Sequence, residues 1–546
     1  MIEFSIIFAH EPVQAHGFLT VDSHCAVSTT LPLFYNEDKT LLLVCSGVID
    51  NAEECRNFLK SRDHAFTSRD DRECILHLYE EYGADVSTHL RGAFAFVIYD
   101  RKKEMVFASR DSAGEKSLYY AHQDSAFICS SSLKRITQLF PQKIKLNRKS
   151  IADSIGYSFP MGEKDTCIEG IYKVPQGSNL CGTASGAAIS SYWSRNRQIT
   201  FQGTEQEAGR KVLDSLRESV CTAMGKNKAS AILLSGGVDS SAIAALAREE
   251  FEEVHVLTAG YKGDFPCDER RTAQRFAEEK KLIFHEVELT QEDYDNAFEE
   301  YPSYLDEPIC DIAAIAQWCL CKKAGELGFH TLLGGNGSDE IFYGYAEENH
   351  YGELVGRPLL QWCNIFKPGW WPDIKTILRL LRKQKTSFIL LDRNKFINAL
   401  FCPHFAEDLS RVGTLPGRSL PQLESADVQG YYTWLWKNWL PNNCLALSSK
   451  FADALDLEIR SPFLDRKFCE LVFSLPHEYK YRSGETKYLL KRILNGIVPD
   501  YILNPPKKGF SPPMEYIRTI VAKKEKSSFN VLLTSEICRH LTGQEL

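Results

Sequence analysis

Two glycine-rich turns in this sequence carry acids and hydroxyls at the ends of apolar runs. The first is Ser235-Gly236-Gly237-Val238-Asp239-Ser240, which follows Ala231-Ile-Leu-Leu234. An apolar run, glycines and then a helical pattern read as strand, tight turn and helix N-terminus. That geometry aims backbone N–H groups and a positive dipole end at one point, which suits an anion. A side chain at Gly236 or Gly237 would hold a phosphate off the backbone. Ser235 and Ser240 add hydroxyl donors. Asp239 alone would repel phosphate, but it fits a Mg²⁺ that itself binds phosphate. The Gly-Lys-Ser/Thr ending of a Walker loop is missing. The second turn is Leu332-Leu-Gly-Gly-Asn-Gly-Ser-Asp-Glu340. Alone, Asp339 and Glu340 are ordinary acids at a helix start, where the dipole favours them.

The flanking elements set where these turns sit. An amphipathic helix over 205–224 carries Val212, Leu216 and Val220 on one stripe. Strands over 254–260 and 282–289 and a helix over 268–281 alternate with the 231–247 unit. This alternation predicts an α/β parallel-sheet domain, doubly wound. Ligands bind such sheets at the carboxyl ends of strands, where the 235–240 loop and Thr258-Ala259-Gly260 fall. The first 195 residues are strand-rich, with helical spacing at 52–59 and 72–82, an α+β pattern. Gly, Ala, Ser and Thr over 182–205 mark a boundary. Further on, 364–401 holds a basic stretch whose apolar positions suit a packed amphipathic helix.

A chain of 546 residues exceeds one core, so several domains are expected. A net charge of −8 argues against a general nucleic-acid surface. The 17 cysteines are odd in number and lack metal-binding spacing, which suits free thiols in a reducing cytoplasm. No signal peptide and no apolar run long enough for a membrane span are read.

The first loop resembles the SGGxDS pyrophosphate loop of N-type ATP pyrophosphatases, which cleave ATP to AMP and pyrophosphate. Leu90-Arg-Gly-Ala-Phe-Ala-Phe-Val-Ile-Tyr-Asp100 and Ala108-Ser-Arg-Asp-Ser-Ala-Gly-Glu-Lys-Ser-Leu-Tyr-Tyr120 resemble the glutaminase domain of class B asparagine synthetases. The resemblance covers most of the chain. It implies an N-terminal Ntn-hydrolase-like sandwich over 1–195, an ATP pyrophosphatase domain with added helices over 205–523, and a tail over 524–546. ATP is expected on Ser235, Gly236, Gly237, Asp239, Ser240 and Gly335, with adenine or ribose near Leu233, Leu257, Thr258 and Gly260. The second turn is similar to the family's Gly-x-Gly-x-Asp-Glu motif, which implies that Asp339 joins Asp239 on Mg²⁺. Asp306, Glu307 and Asp311 match a segment lining the substrate pocket, together with Asn336 and Gly337. Arg460 and Asp465, near Pro462, are expected to be architectural. Gly484-Glu-Thr-Lys-Tyr-Leu-Leu-Lys491 and Pro505-Pro-Lys-Lys-Gly-Phe510 are similar to the closing Lys-x-x-Leu and Lys-x-Gly-Phe elements. The second match makes Lys507 the family's active-site lysine.

Two departures shape the functional expectation. The glutaminase nucleophile is a cysteine at position 2, its α-amine acting as base; this sequence has Ile2. Glutamine hydrolysis is therefore expected to be absent. Asparagine synthetases carry Glu where Asn336 stands, and β-lactam synthetases carry Tyr; asparagine cannot act as a base. Glu340, Glu347 and Glu348 are the nearest carboxylates, and Glu340 is taken with Lys507 as catalytic. The expected activity is amide formation from a small-molecule or peptide carboxylate and an amine, through an acyl-adenylate, in specialised metabolism. It is similar to that of the β-lactam synthetases and lasso-peptide cyclases. The alternatives are an ammonia-dependent asparagine synthetase and a non-catalytic nucleotide-binding paralogue. No nucleic-acid or membrane partner is expected, and homo-oligomerisation is left open.

Overall fold

The computed structural model describes residues 1–9, 17–123, 125–195, 198–225, 229–345, 428–504, 512–524 and 528–543. The first domain holds two six-stranded antiparallel sheets. One runs in the order Ile171–Lys173, Tyr119–Gln123, Ala126–Ser130, Phe4–Ala9, Cys25–Thr29, Leu19–Thr20. The other runs Gly186–Ser191, Ser178–Thr183, Met105–Arg110, Phe94–Asp100, Leu41–Gly47, Leu33–Tyr35. Alternation along each strand makes the layers. Phe4, Ile6 and Phe8 meet Leu42, Val44, Ala95 and Val97 between the sheets. Leu41, Leu43 and Cys45 point the other way, under helices Ala52–Lys60 and Cys74–Tyr82. Ile7, Tyr119 and Ile128 pack against helices Leu133–Leu139 and Arg148–Tyr157 and against the second domain. The result is the expected Ntn-hydrolase-like sandwich.

The stretch 182–191, read from sequence as part of a boundary, is instead the end of one strand and the edge strand Gly186–Ser191. Its side chains are small and mostly exposed, so it bears no hydrophobic alternation. The crossing between domains follows it. Trp193 Nε1 donates to Glu470 at 2.8 Å, and its ring packs on Trp436 and Phe473.

The second domain opens with helix Glu205–Met224, started by a capping box between Thr204 and Glu207. Five parallel strands follow, in the order Ile283–Leu289, His255–Tyr261, Ser230–Leu233, Thr331–Leu333, Glu458–Arg460. From Ser230–Leu233 the next two strands add on one side and the last two on the other. The order therefore reverses between Ser230–Leu233 and Thr331–Leu333, which opens a crevice at their carboxyl ends. The segment read as a tail contains helix Phe529–Thr542, with Leu532, Leu533, Ile537 and Cys538 buried against both domains. The basic stretch 364–401 lies outside the described residues. No described helix is long and apolar enough to cross a membrane.

Candidate active site

Both glycine turns leave the sheet at its point of reversal. After Leu233 the chain turns through Ser235–Gly237 into helix Val238–Glu250. After Leu333 it turns into the short helix Ser338–Phe342. A β-carbon on Gly335 would lie 2.9 Å from Asp239 Cβ, so the two turns touch only because this residue is glycine. Within the first turn, Ser235 and Ser240 hydroxyls lie 3.0 Å apart, and Gly237 N donates to Ser235 Oγ at 3.3 Å. The hydroxyls and amides of this loop thus gather at one place.

The acids gather too. Ser338 Oγ donates to Asp239 Oδ1 at 2.6 Å. Asp239 Oδ2 and Asp339 Oδ1 face a common cation, Lys487 Nζ, at 2.5 and 2.9 Å. Lys487 is buried, and burial by itself would favour losing the proton. Asp239 and Asp339 outweigh that and hold its pKa above the ordinary lysine value. Its main chain is seated by Lys487 N donating to Phe342 O at 3.2 Å. Lys487 opens the Lys-x-x-Leu element, and the sequence alone assigns it no role. A lysine followed by Tyr-Leu-Leu signals a helix start, and nothing local shows that its head reaches two distant acids.

Two carboxylates that share one point fit a magnesium ion, which takes one or two carboxylate oxygens and fills the rest of its shell with water and phosphate. Glu340 lies on the inner side of the same short helix. It is 3% exposed and accepts a hydrogen bond from Tyr345 Oη at 2.8 Å. Burial first, and then the Asp339 charge, push its pKa up to about 7. Tyr345 was not foreseen as its partner.

The predicted pocket residues divide into two groups. Asn336 Nδ2 donates to Ser448 Oγ at 3.4 Å, and Asp311 Oδ2 accepts from Asn443 Nδ2 at 3.0 Å. Both therefore meet helix Cys444–Leu455 or its first flanking residue. Gly337 begins the short helix with φ +88°. Asp306 and Glu307 instead belong to the domain interface. Asp306 pairs with Lys450 at 2.5 Å and accepts from Ser132 Oγ of the first domain at 3.1 Å. Glu307 accepts from Cys167 N at 2.9 Å. Both are buried, and the second oxygen of Glu307 faces Lys173 at 3.7 Å.

Leu257 is fully buried in the core and its carbonyl accepts from Leu234 N at 2.9 Å. Its backbone supports the loop through this bond. Thr258–Gly260 extend beyond the end of Ser230–Leu233, because that strand pairs only as far as Leu257. Thr258 Oγ1 donates to Leu234 O at 2.8 Å, and Arg270 lies over Gly260. Leu233 is partly open at the strand end. Lys507, Glu347 and Glu348 lie outside the described residues. Arg460 pairs with Asp50 across the domains, and Asp465 caps helix Arg466–Ser474 through Phe468 N at 2.9 Å.

The asparagine synthase family model matches residues 211–541, and a glutamine amidotransferase domain model matches 13–193. The chain belongs to the asparagine synthase family. Among its relatives, asparagine synthetase [glutamine-hydrolyzing] 1 of Bacillus subtilis is 26% identical over 96% of this chain and 85% of that protein. Amidase chyE of Penicillium rubens is 25% identical over 88% of this chain and 78% of that protein. A glutamine phosphoribosylpyrophosphate amidotransferase structure from B. subtilis is similar at 13% identity, covering 61% of this chain and 75% of that chain with a TM-score of 0.25. As a family member, the chain is an ATP-dependent ligase that forms carbon–nitrogen bonds through an adenylated carboxylate.

Proposed function

We propose that this ligase joins a carboxylate and an amine of specialised small-molecule or peptide substrates, without hydrolysing glutamine. The observation that carries the ligase chemistry is the meeting of Asp239, Asp339 and Lys487 at the sheet reversal, beside the Ser235–Gly237 amides. In this reading the loop amides and the Ser235 and Ser240 hydroxyls bind the β- and γ-phosphates of ATP. Asp239 and Asp339 hold Mg²⁺, which when bound neutralises charge on the departing pyrophosphate. Lys487 screens the two acids from each other before nucleotide arrives and donates to phosphate oxygens afterwards. Lys507 is assigned to the α-phosphate and the tetrahedral intermediate. Asn336, Gly337 and Asp311 border the acyl substrate. Glu340 takes the proton of the attacking amine, since Asn336 cannot.

The absence of glutamine hydrolysis rests on Ile2 and on Cys25. Cys25 is buried within a strand opposite Phe8, and burial lifts its thiol far above the usual range. Cleavage before it would remove Phe4–Ala9, an inner strand of the first sheet. The similarity to Amidase chyE and the Asn336 substitution favour a substrate other than aspartate. The name of the B. subtilis relative, a glutamine-hydrolyzing asparagine synthetase, favours asparagine synthesis as a second reading, which with Ile2 in place of the nucleophile would draw on free ammonia.

ATP–pyrophosphate exchange with Mg²⁺, run over amino acids and β-amino acids without an amine, separates these readings. Exchange with an acid other than aspartate is expected. Aspartate exchange followed by asparagine on adding ammonia would establish the second reading. If calorimetry detects no ATP binding, both readings are wrong.

A further inference from the structure

The glutamine amidotransferase-like domain contains a cluster that the ligase chemistry does not use. Glu37 lies in the turn after strand Leu33–Tyr35, His64 in the loop after helix Ala52–Lys60, and His77 within helix Cys74–Tyr82. One ligand atom from each lies within 4.8 Å of the others. The burial is graded, with Glu37 exposed, His64 intermediate and His77 buried. We propose that Glu37, His64 and His77 form a binding site for a divalent transition-metal ion of the zinc class.

Three separate elements bring two imidazoles and a carboxylate together, which is the ligand set of a three-residue zinc site with room for water at the open side. Bonds near 2 Å place tetrahedral ligands about 3.3 Å apart. The exposed Glu37 arm therefore has to swing in by on the order of an ångström, and it is the member free to do so. The surroundings supply the outer contacts that metal-binding histidines need. Glu80 Oε2 lies 2.9 Å from His77 Nδ1 and 3.5 Å from His64 Nδ1, and Glu80 is itself held by Asn36 Nδ2 at 2.9 Å. Glu81 lies 3.0 Å from His64 Nε2. On the inner side, Glu73 is occupied by Thr67 and Ser68, and its Oε1 is 3.9 Å from His77 Nε2.

A second observation points to a missing ligand. His77 is 1% exposed, and its Nε2 has no hydrogen-bond partner. A buried imidazole nitrogen without a partner is costly. With Nδ1 engaged by Glu80, Nε2 is the ring nitrogen left without a partner. A bound ion would tie the turn at 37, the loop at 64 and the helix at 77 into one cover over the second sheet. The open face at Glu37 lets the ion exchange with solvent.

The test is a cobalt(II) titration of full-length, chelator-treated protein that carries no polyhistidine tag, run without ATP. Zinc-displaceable visible ligand-field absorption at a single equivalent is expected. His64→Ala and Glu37→Gln should each weaken binding by about tenfold or more. Glu37 is exposed, so its variant stays folded even if His64→Ala does not. Asp239→Asn should leave the titration unchanged. Absence of zinc-displaceable absorption overturns the proposal, as does equal affinity in Glu37→Gln, or a thiolate charge-transfer band in its place. None of these outcomes bears on the ligase reading.

Discussion

A methyl group on Gly344 would sit 1.6 Å from Asp339 Oδ1 and 2.6 Å from Lys487 Cε. No L side chain fits there unless the acid moves. Gly344→Ala should therefore displace Asp339 and raise the Mg²⁺ concentration for half-maximal pyrophosphate release by about tenfold or more. The same geometry defines Lys487. Replacing it with methionine removes the only described cation between Asp239 and Asp339 and leaves their charges opposed. Lys487→Met should lower pyrophosphate release by about a hundredfold, measured with a coupled phosphate assay at saturating ATP. If the rate stays within about threefold of wild type, Lys487 is a structural counter-ion only.

The elements differ in how much of them the sequence disclosed. Four of the five parallel strands and both turns were legible, three of the strands as apolar runs leading into glycine, whereas Glu458–Arg460, read only as architecture near Pro462, was not. In the sandwich, Phe4–Ala9, Leu41–Gly47 and Phe94–Asp100 were legible as short β-prone runs, and the other inner strands were not. The edge strand Gly186–Ser191 was not, since its exposed Gly, Ala and Ser residues carry no period. Lys487 and Tyr345 were hidden as partners because long-range geometry leaves no local pattern. Asp306 and Glu307 were assigned to a pocket by resemblance, and their burial with Lys450 and Cys167 could not be read from a loop of acids. The segment from 524 shows how short amphipathic elements escape notice. Phe529–Thr542 is capped by Ser528, whose side chain accepts from Val531 N. It buries Leu532 and Leu533 at the junction of the domains. Leu533→Ala should cost about 2–5 kcal/mol, as core truncations do, and should appear as a lower denaturation midpoint. A change within the scatter of surface mutations, about 0.5 kcal/mol, would show that this helix contributes little to the fold.

At the scale of the whole molecule, the two domains are joined by buried charge as well as by apolar surface. Arg460 pairs with Asp50, Lys116 with Glu458 at 3.1 Å, and Lys450 with Asp306. Buried pairs of this kind fix geometry more than they add stability. Asp453 is at the centre of this arrangement. Its carbonyl accepts from Ile2 N at 2.8 Å, and its carboxylate lies 3.9 Å from Lys450. Burial raises the carboxyl to about 6, a shift that Lys450 and Lys116 reduce and Glu458 and Asp306 support. The folded-state pKa thus exceeds the unfolded value near 3.8. The native protein holds the proton more tightly, so this group's contribution is complete below pH 4 and is lost as pH rises through about 6. The difference corresponds to at most about 3 kcal/mol. Asp453→Asn cannot ionise. Its stability relative to wild type should therefore rise between pH 4 and 7 and level off above, read from urea denaturation at each pH. A constant difference across that range would mean that Asp453 keeps its charge in the fold. In that case the lysines, and not burial, would dominate the interface.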